Sequence, residues 1–143
     1  MTLDRQSGAP STAPLDSSGV IKRFDAPEQV LTFENGRLEV IAVGGRYIGK
    51  GSYGAGWRWS VATRSTSPGD RPIDHVGVVL SGRAKLNSGG TEFDLTPGDF
   101  FHVTGELDLR VVGARPCEIL YISGVEGLLT WLRRDHDESG ATT

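Results

Sequence analysis

The stretch Asp74–Phe101, DHVGVVLSGRAKLNSGGTEFDLTPGDFF, decides the fold class of this sequence. It opens with the valine-rich run 75–80, whose length and composition predict a buried strand. The Asn-Ser-Gly-Gly segment at 87–90 lies between two further strand-like runs, which is the pattern of a β-hairpin. The Thr-Pro-Gly-Asp segment at 96–99 predicts a tight turn, because proline suits the second position, and the aromatic run 100–103 follows it. The stretch therefore predicts consecutive antiparallel strands joined by glycine turns.

Short apolar runs separated by glycines continue on both sides of this stretch. Glycine makes up 20 of the 143 residues, about twice the usual share, and shows no collagen-like period. Asn35-Gly36 lies between two apolar runs and predicts another hairpin, because both residues tolerate a positive φ. The segment 44–56 is predicted to be a glycine-rich loop with a short strand around 46–48. The predicted strands cover 20–24, 30–33, 37–43, 57–61, 75–80, 83–86, 91–95, 100–103, 107–112 and 117–122.

This pattern predicts an all-β protein, an antiparallel β-barrel or jelly roll of about eight to ten strands. Only the C-terminal part has helical periodicity. Apolar residues recur at helical spacing at Val125, Leu128, Leu129 and Leu132, and predict one helix over 125–134.

The chain has the length of one domain, which we place at 20–135. Residues 1–19 are rich in Ser, Thr, Ala, Pro and Gly, and 136–143 are charged and then small and polar. Such segments bury too little apolar surface to offset the entropy of ordering, so both are predicted to be flexible tails. For 1–19 the alternative is an arm that packs on the barrel or on a second subunit.

Composition excludes several classes of function. The net charge of −3 lacks the basic excess of a protein that binds nucleic acid. No apolar run approaches the roughly 18 residues of a membrane-spanning helix. Cys117 is the single cysteine, so neither an internal disulfide nor a zinc site built from several cysteines can form, and residues 1–19 lack a secretory signal. We therefore predict a soluble cytoplasmic protein with no nucleic-acid or membrane partner.

The run from Gly56 to Ile122 resembles the cupin family. The resemblance is carried by a strand that ends in V-L-S-G-R at 79–83, a glycine hairpin, L-T-P-G-D at 95–99 and an aromatic strand. The GWRWS segment at 56–60 is similar to one branch of small single-domain bacterial cupins. The resemblance implies a small antiparallel barrel or jelly roll, often a homodimer, with a ligand cavity at one mouth.

The metal ligands typical of that family are mostly replaced here. Of the four ligand positions, only the first-motif Glu position clearly holds a good donor, His75. The two first-motif histidine positions fall at Gly69 and Arg71 or at Pro68 and Asp70, and the second-motif histidine falls within Leu107, Asp108 and Leu109. A catalytic metal normally needs three protein ligands, so we predict no metal and no other cofactor. The alternative is a metal enzyme with an unusual His/Asp ligand set that uses Asp70 or Asp108.

A largely apolar pocket is predicted inside the barrel. If His75 points inward, the alternation of strand side chains places Gly77 and Val79 on the same face, with Gly77 leaving space beside the imidazole. Trp57 and Trp59 are predicted to form an apolar wall. The remaining candidate contacts to a substrate are Leu107 and Leu109 on a later strand, Tyr47 in the glycine-rich loop, and His102. Tyr53 in the same loop is a further candidate for the mouth of the pocket, and for both tyrosines the alternative is a solvated loop position. The alternative is a barrel filled by these side chains.

His75 and Arg71 are the candidate catalytic residues. A neutral imidazole can shuttle a proton near neutral pH, and a guanidinium suits a carboxylate or a carbonyl that gains negative charge. The alternatives are a buried structural histidine, a surface arginine and, for His102, a structural role. Cys117 is expected to be a buried, unreactive thiol, and His136 to be solvated.

Two functions share this pocket, and the metal enzyme described above is a third. The first is a metal-independent biosynthetic enzyme of the cyclase or isomerase type, which folds a polyketide-like substrate into a reactive shape, including for a pericyclic ring closure. The second is a non-catalytic protein that binds a small molecule. A homodimer is expected in each case.

Overall fold

The computed structural model describes residues 19–62, 73–105 and 107–129 of the chain. Within these ranges it contains nine β-strands and one short helix, α1, in addition to a helical segment at 125–129. The elements are β1 (Gln29–Phe33), β2 (Gly36–Val43), β3 (Arg46–Tyr53), α1 (Trp59–Ala62), β4 (Ile73–Ser81), β5 (Arg83–Ser88), β6 (Thr91–Leu95), β7 (Phe100–Gly105), β8 (Leu107–Val112) and β9 (Cys117–Ser123).

The strands form two antiparallel sheets. The larger has the order β1-β2-β3-β9-β4-β7 and the smaller the order β6-β5-β8. Apolar residues at alternate positions of both sheets join one core, which includes Leu38 and Ile119 from the larger sheet and Leu86 and Leu109 from the smaller one. Among the described strands the two sheets do not close into a continuous barrel. The all-β jelly-roll prediction is confirmed.

The predicted turns form where their residues suit the backbone. Asn35 has a φ of 61° and connects β1 to β2, and Gly89-Gly90, both with positive φ, connects β5 to β6. In the Thr-Pro-Gly-Asp turn, the amide of Asp99 donates to the carbonyl of Thr96 over 3.0 Å. The Asp99 carboxylate in turn accepts from the Thr96 amide at 2.8 Å. Such local features explain why the turns could be located from the sequence.

Two sequence predictions near the N-terminus are wrong. Residues 20–24 form no strand, and their chain instead makes a turn from Arg23 to Ala26. The glycine-rich segment holds a full strand, β3, rather than a short one. Its alternate residues Gly49, Gly51 and Tyr53 face the core, where a larger side chain at either glycine would meet neighbouring atoms. These glycines therefore serve close packing, and the segment has the period of a strand.

The predicted strand at 57–61 is also wrong. Arg58 makes a single β-bridge to Arg110, and the chain then turns into α1. The Asp108 carboxylate accepts from the Ser60 amide at 2.9 Å and from its hydroxyl at 3.0 Å. Asp108 thus satisfies a free amide in the first turn of α1 and favours a helical turn over continuation of the strand.

The C-terminal helix is present in the part of the chain that can be described. Residues 125–129 are helical, and Val125, Leu128 and Leu129 are buried. The remainder of the predicted helix, 130–134, lies outside the described residues, as do the predicted tails 1–18 and 136–143. The domain limits at 20 and 135 stay a prediction. Within the described ranges, no helix has the length and hydrophobicity required to cross a membrane.

Candidate functional site

His75 lies on the inner face of β4, as predicted. It is 3% exposed and shares this face with Gly77 and Val79, which are both buried. The imidazole meets two aromatic rings edge to face: Tyr121 at a centroid distance of 5.2 Å and Phe101 at 6.0 Å. The strand order explains this arrangement, because β4 lies between β9, which carries Tyr121, and β7, which carries Phe101.

The surroundings of His75 keep its side chain neutral. Burial lowers the pKa of His75 to about 4, against an opposing influence of Asp74 and with a smaller contribution from His102. Nδ1 of the imidazole is buried without a hydrogen-bond partner. An unsatisfied buried polar atom costs free energy, so this nitrogen is available to a polar group that enters the interior.

A pair of buried tyrosines lies next to His75. The hydroxyl oxygens of Tyr53 and Tyr121 are 2.8 Å apart and share a hydrogen bond. Burial raises the pKa of both phenols, so both stay protonated. Tyr121 has Gly49 of β3 and Gly77 of β4 as its two cross-strand neighbours, which lack side chains beside the ring. The tyrosine pair therefore provides a rigid polar centre in an apolar interior.

Two tryptophans extend this centre as an aromatic layer. Trp57 stacks on Tyr53 with ring centroids 4.2 Å apart, and Trp59 meets Trp57 edge to face at 6.5 Å. Both tryptophans are 5% exposed, so the predicted apolar wall is present although the segment is not a strand. The indole Nε1 of Trp57 is buried without a hydrogen-bond partner. It is the second unsatisfied polar atom in this layer, and it can only donate.

Gly77 does not leave free space beside the imidazole. A Cβ placed on Gly77 would lie 2.8 Å from the Phe101 ring and 3.2 Å from Ile119. The expected gap is therefore filled by Phe101, which reaches across from β7. On the opposite sheet Leu109 is buried and Leu107 is partly buried against the core, as predicted.

Two predicted contact residues do not line the interior. His102 is wrong as a cavity residue, because the alternation along β7 turns Phe101 and Val103 inward and His102 outward. Its side chain is 59% exposed, and its Nε2 lies 2.9 Å from Asp74 Oδ1. Tyr47 has the parity of the inner face of β3, but it lies beside the β2–β3 turn and is 37% exposed. Arg71, the second candidate catalytic residue, lies outside the described residues.

The residues that can be described do not fit a metal. No group of three His, Cys, Asp or Glu side chains is placed to hold an ion within the described ranges. The alternative ligand Asp108 lies on the outer face of β8, where its carboxylate binds Ser60 and lies 3.7 Å from Arg58 Nη1. The alternative ligand Asp70 lies outside the described residues. Of the family's ligand positions that the structure describes, only His75 faces the interior with a good donor, and one nitrogen ligand does not make a catalytic metal centre.

Cys117 is buried at the start of β9, and burial raises the pKa of its thiol to about 11. Such a thiol remains protonated at neutral pH and is a poor nucleophile. This supports the structural role expected from the sequence.

The pairing of Tyr53 with Tyr121 was not predicted from the sequence. The signal that could have identified them is strand alternation. Tyr53 lies on the same face of β3 as Gly49 and Gly51, and Tyr121 lies on the same face of β9 as Cys117 and Ile119. Tyrosine at such a position signals a hydroxyl that needs a buried partner.

Comparisons with known proteins show the fold. No family model and no curated protein matches the sequence. Among solved structures, a cupin-2 domain from Rhodospirillum rubrum matches with 15% identity over 74% of this chain and 76% of that chain, at a TM-score of 0.53. A cupin 2 conserved barrel domain protein from Salinispora arenicola matches with 11% identity over 85% and 99%, at a TM-score of 0.52. The cupin domain of Schizosaccharomyces pombe Cnp3 matches with 13% identity over 68% and 71%, at a TM-score of 0.51. At these identities the likeness confirms the expected resemblance at the level of the fold.

Proposed function

We propose that this protein, which has the cupin fold, binds a small, largely apolar molecule that carries a carbonyl or carboxylate oxygen, and transforms it without a metal. The reaction class is cyclisation or isomerisation of a biosynthetic, polyketide-like intermediate. The observation that carries the proposal is the pair of buried atoms without hydrogen-bond partners, Trp57 Nε1 and His75 Nδ1, in an interior of aromatic and aliphatic side chains.

The two atoms suit different parts of such a ligand. The indole N–H of Trp57 can only donate, so it suits a ligand oxygen, while the neutral imidazole of His75 can accept or donate at Nδ1. Folded proteins satisfy nearly all buried polar groups, so two orphans in one aromatic layer support a site for an incoming polar group. Among the described core residues no carboxylate is buried, which disfavours a cationic ligand.

The proposed chemistry depends mainly on shape. The ring of Trp57 stacks on Tyr53, and the Tyr53 hydroxyl is bonded to that of Tyr121. In this proposal a flexible chain is held against these side chains in a reactive conformation. His75 then transfers a proton. Negative charge that develops on the substrate beside the imidazole raises the pKa of His75 and makes the imidazole a stronger base. Arg71, outside the described residues, remains the proposed cation for a substrate carboxylate or enolate.

A second candidate function is binding without catalysis. It is favoured by the pKa values of the buried groups. Burial lowers the pKa of His75 to about 4, raises that of Cys117 to about 11, and raises those of Tyr53 and Tyr121. No group among these titrates near neutral pH in the ligand-free protein, and proton transfer is most efficient when it does.

Three probes with one naphthalene ring test the site: 1-naphthaleneacetate, 1-methylnaphthalene and 1-naphthylmethylamine. Binding is followed by the NMR signal of the Trp57 indole N–H, assigned with Trp57→Phe, and by fluorescence titration. We expect the carboxylate to bind more tightly than the hydrocarbon, the amine to bind least, and the Trp57 indole signal to move. Equal binding of all three probes, or no movement of that signal, would contradict the proposal.

Catalysis is tested separately with a linear poly-β-keto thioester, by mass spectrometry of the products in the presence of EDTA. Turnover that His75→Ala lowers by about 10²-fold or more indicates proton transfer by the imidazole. Turnover that His75→Ala leaves unchanged but Trp57→Ala redirects to other products indicates catalysis by shape. Probe binding without turnover identifies the non-catalytic function, and activity lost in EDTA and restored by a metal ion overturns the metal-independent assignment.

A further inference from the structure

A cleft lies at the other end of β4, away from His75. His75 and Gly82 are seven residues apart along an extended strand, which separates them by roughly 20 Å. Three turns meet at this end: β4–β5, β6–β7 and β8–β9. The cleft between them has a volume of about 470 Å³ and is lined by Gly82, Arg83, Pro97, Val112, Gly113, Ala114 and Arg115.

The turns that form the cleft are held in place by short contacts. A Cβ on Gly82 would lie 2.2 Å from the carbonyl oxygen of Pro116, so the first and third turns are packed backbone to backbone. The amide of Gly98, in the middle turn, donates to the carbonyl of Val79 at 2.9 Å. A site built on these turns is therefore organised before any ligand arrives.

Two arginines give the cleft its charge. Arg83 and Arg115 are exposed, and in the described part of the chain neither guanidinium pairs with a carboxylate. Arg83 Nη2 lies 3.5 Å from the point where a Cβ on Gly113 would be, so the guanidinium lies against that turn. By contrast, Arg37 and Arg110 on the strands pair with glutamates at 2.9 and 3.4 Å.

The nearby acidic groups are engaged elsewhere. Asp99 accepts from the amide and hydroxyl of Thr96 in its own turn. Glu118 accepts from the Ser81 hydroxyl at 3.4 Å, and neither acid lines the cleft. The cleft thus combines two permanent positive charges with the apolar surfaces of Pro97 and Val112.

We propose that this cleft binds a phosphate monoester attached to a small apolar group. A phosphate monoester carries close to two negative charges at neutral pH, which matches two guanidiniums better than a single carboxylate does. The planar arginine fork forms parallel hydrogen bonds with phosphate oxygens, and the apolar side chains cover the group that the phosphate carries. This site is independent of the proposed reaction in the interior.

The test is an NMR titration of the full chain with phenyl phosphate, inorganic phosphate, benzoate and benzyl alcohol. We expect phenyl phosphate to bind most tightly and to shift the amide signals of Gly82 and of 113–115. Each of the variants Arg83→Gln and Arg115→Gln should lower the affinity for phenyl phosphate about fivefold, which corresponds to the free energy of one exposed ion pair. Arg46→Gln removes another exposed arginine, at the β2–β3 turn, and is the matched control, for which the affinity should be unchanged.

Three outcomes would overturn the proposal. Equal weakening by Arg46→Gln would show general attraction to positive charge, and benzoate binding as tightly as phenyl phosphate would exclude the phosphate assignment. Absence of shifts at 82 and 113–115 would exclude the cleft. None of these results concerns the Trp57 indole signal, so failure here is distinguishable from failure of the proposed function.

Discussion

The hydroxyl oxygens of Tyr53 and Tyr121 lie 2.8 Å apart in the core, although the residues are 68 positions apart in the chain. Strand β9 pairs with β3 on one side and β4 on the other, and this order brings the two phenols together beside His75. The exposures of the tyrosines are 1% and 3%, so water cannot replace either hydroxyl as a partner. The bond therefore links the packing of the core to the candidate site.

The first prediction concerns this bond. Tyr53→Phe and Tyr121→Phe should each lower the free energy of unfolding by about 1–3 kcal/mol, because each leaves one buried hydroxyl without a partner. The double variant should lose less than the sum of the two, with a coupling of about 1 kcal/mol. Urea denaturation of the four proteins measures this cycle. The control Tyr47→Phe, at an exposed tyrosine, should change stability by less than about 0.5 kcal/mol, and additive losses in the cycle would show that the hydroxyls do not interact.

The second prediction concerns acid stability. The pKa of His75 falls from 6.5 in the unfolded chain to about 4 in the folded protein, because burial disfavours the imidazolium. Between these two pKa values the unfolded chain binds more protons than the folded protein. The free energy of unfolding therefore decreases as the pH falls from about 6.5 to 4. The loss at the acidic limit is about 3 kcal/mol.

Urea denaturation between pH 7.5 and pH 4.5 measures this loss as the difference between wild type and His75→Gln. The wild type should lose stability more steeply than the variant. His102→Gln removes an exposed histidine that makes only a small contribution to the lowered pKa of His75, and it is the matched control. Its slope should stay much closer to that of the wild type than the slope of His75→Gln does. Equal slopes in wild type and His75→Gln would show that the imidazole is not desolvated.

Local residue chemistry made the turns predictable. Asn35, Gly89 and Gly98 have positive φ values of 61°, 60° and 93°, and each lies in a turn that the sequence analysis had located. Strand β3 was missed because its glycines suggested a loop, whereas Gly51 faces the core and accommodates the Tyr53 ring. A glycine in a turn and a glycine in a packed strand have the same identity in sequence, and only the neighbouring strands distinguish them.

The site was predictable to the extent that it depended on one strand. The resemblance to the cupin family implied that His75 points inward, and the alternation along β4 then placed Gly77 and Val79 on the same face, as the structure shows. The orientation of His102 was not decided in this way, because it depends on which residue of β7 faces the core. The Tyr53–Tyr121 contact could not be predicted, since it requires the sheet order and the register Gly49↔Tyr121. Sequence patterns therefore do not determine the contacts in this site between strands that are distant in the chain.

The third prediction concerns assembly, since the expected homodimer stays a prediction. Phe100 is 70% exposed on β7, an edge strand that pairs with β4 on one side and with no other described strand. Its neighbours in register, Val78 and then Leu120, continue an apolar row on the outer face, with Leu80 44% exposed beside them. An edge strand of this kind can pair with its own copy about a twofold axis, which places the two apolar rows side by side and covers part of Phe100.

Light scattering on the eluting protein tests this contact. The wild type should be a dimer, and Phe100→Ser should shift it towards the monomer. The matched control is Val30→Ser, which replaces a 46% exposed residue on β1 at the opposite edge of the same sheet and should leave the dimer intact. A monomeric wild type, or equal effects of the two variants, would contradict this interface.

The fourth prediction compares two glycine-to-alanine substitutions with opposite signs. A Cβ on Gly51 would lie 2.2 Å from the Tyr53 hydroxyl and 2.5 Å from the adjoining ring carbon, so Gly51→Ala must displace the ring and weaken its bond to Tyr121. Overpacking of this kind costs about 1–3 kcal/mol. Gly127 lies in the helical segment 125–129 with open space where its Cβ would be, so Gly127→Ala should raise the free energy of unfolding by about 0.5–1 kcal/mol through helix propensity.

Thermal unfolding of both variants measures whether stability falls in Gly51→Ala and rises in Gly127→Ala. Gly51→Ala should also reduce the binding of 1-naphthaleneacetate, because the Tyr53 ring supports Trp57 by stacking. A Gly51→Ala protein as stable as wild type, with unchanged probe binding, would show that the tyrosine pair does not organise the candidate site.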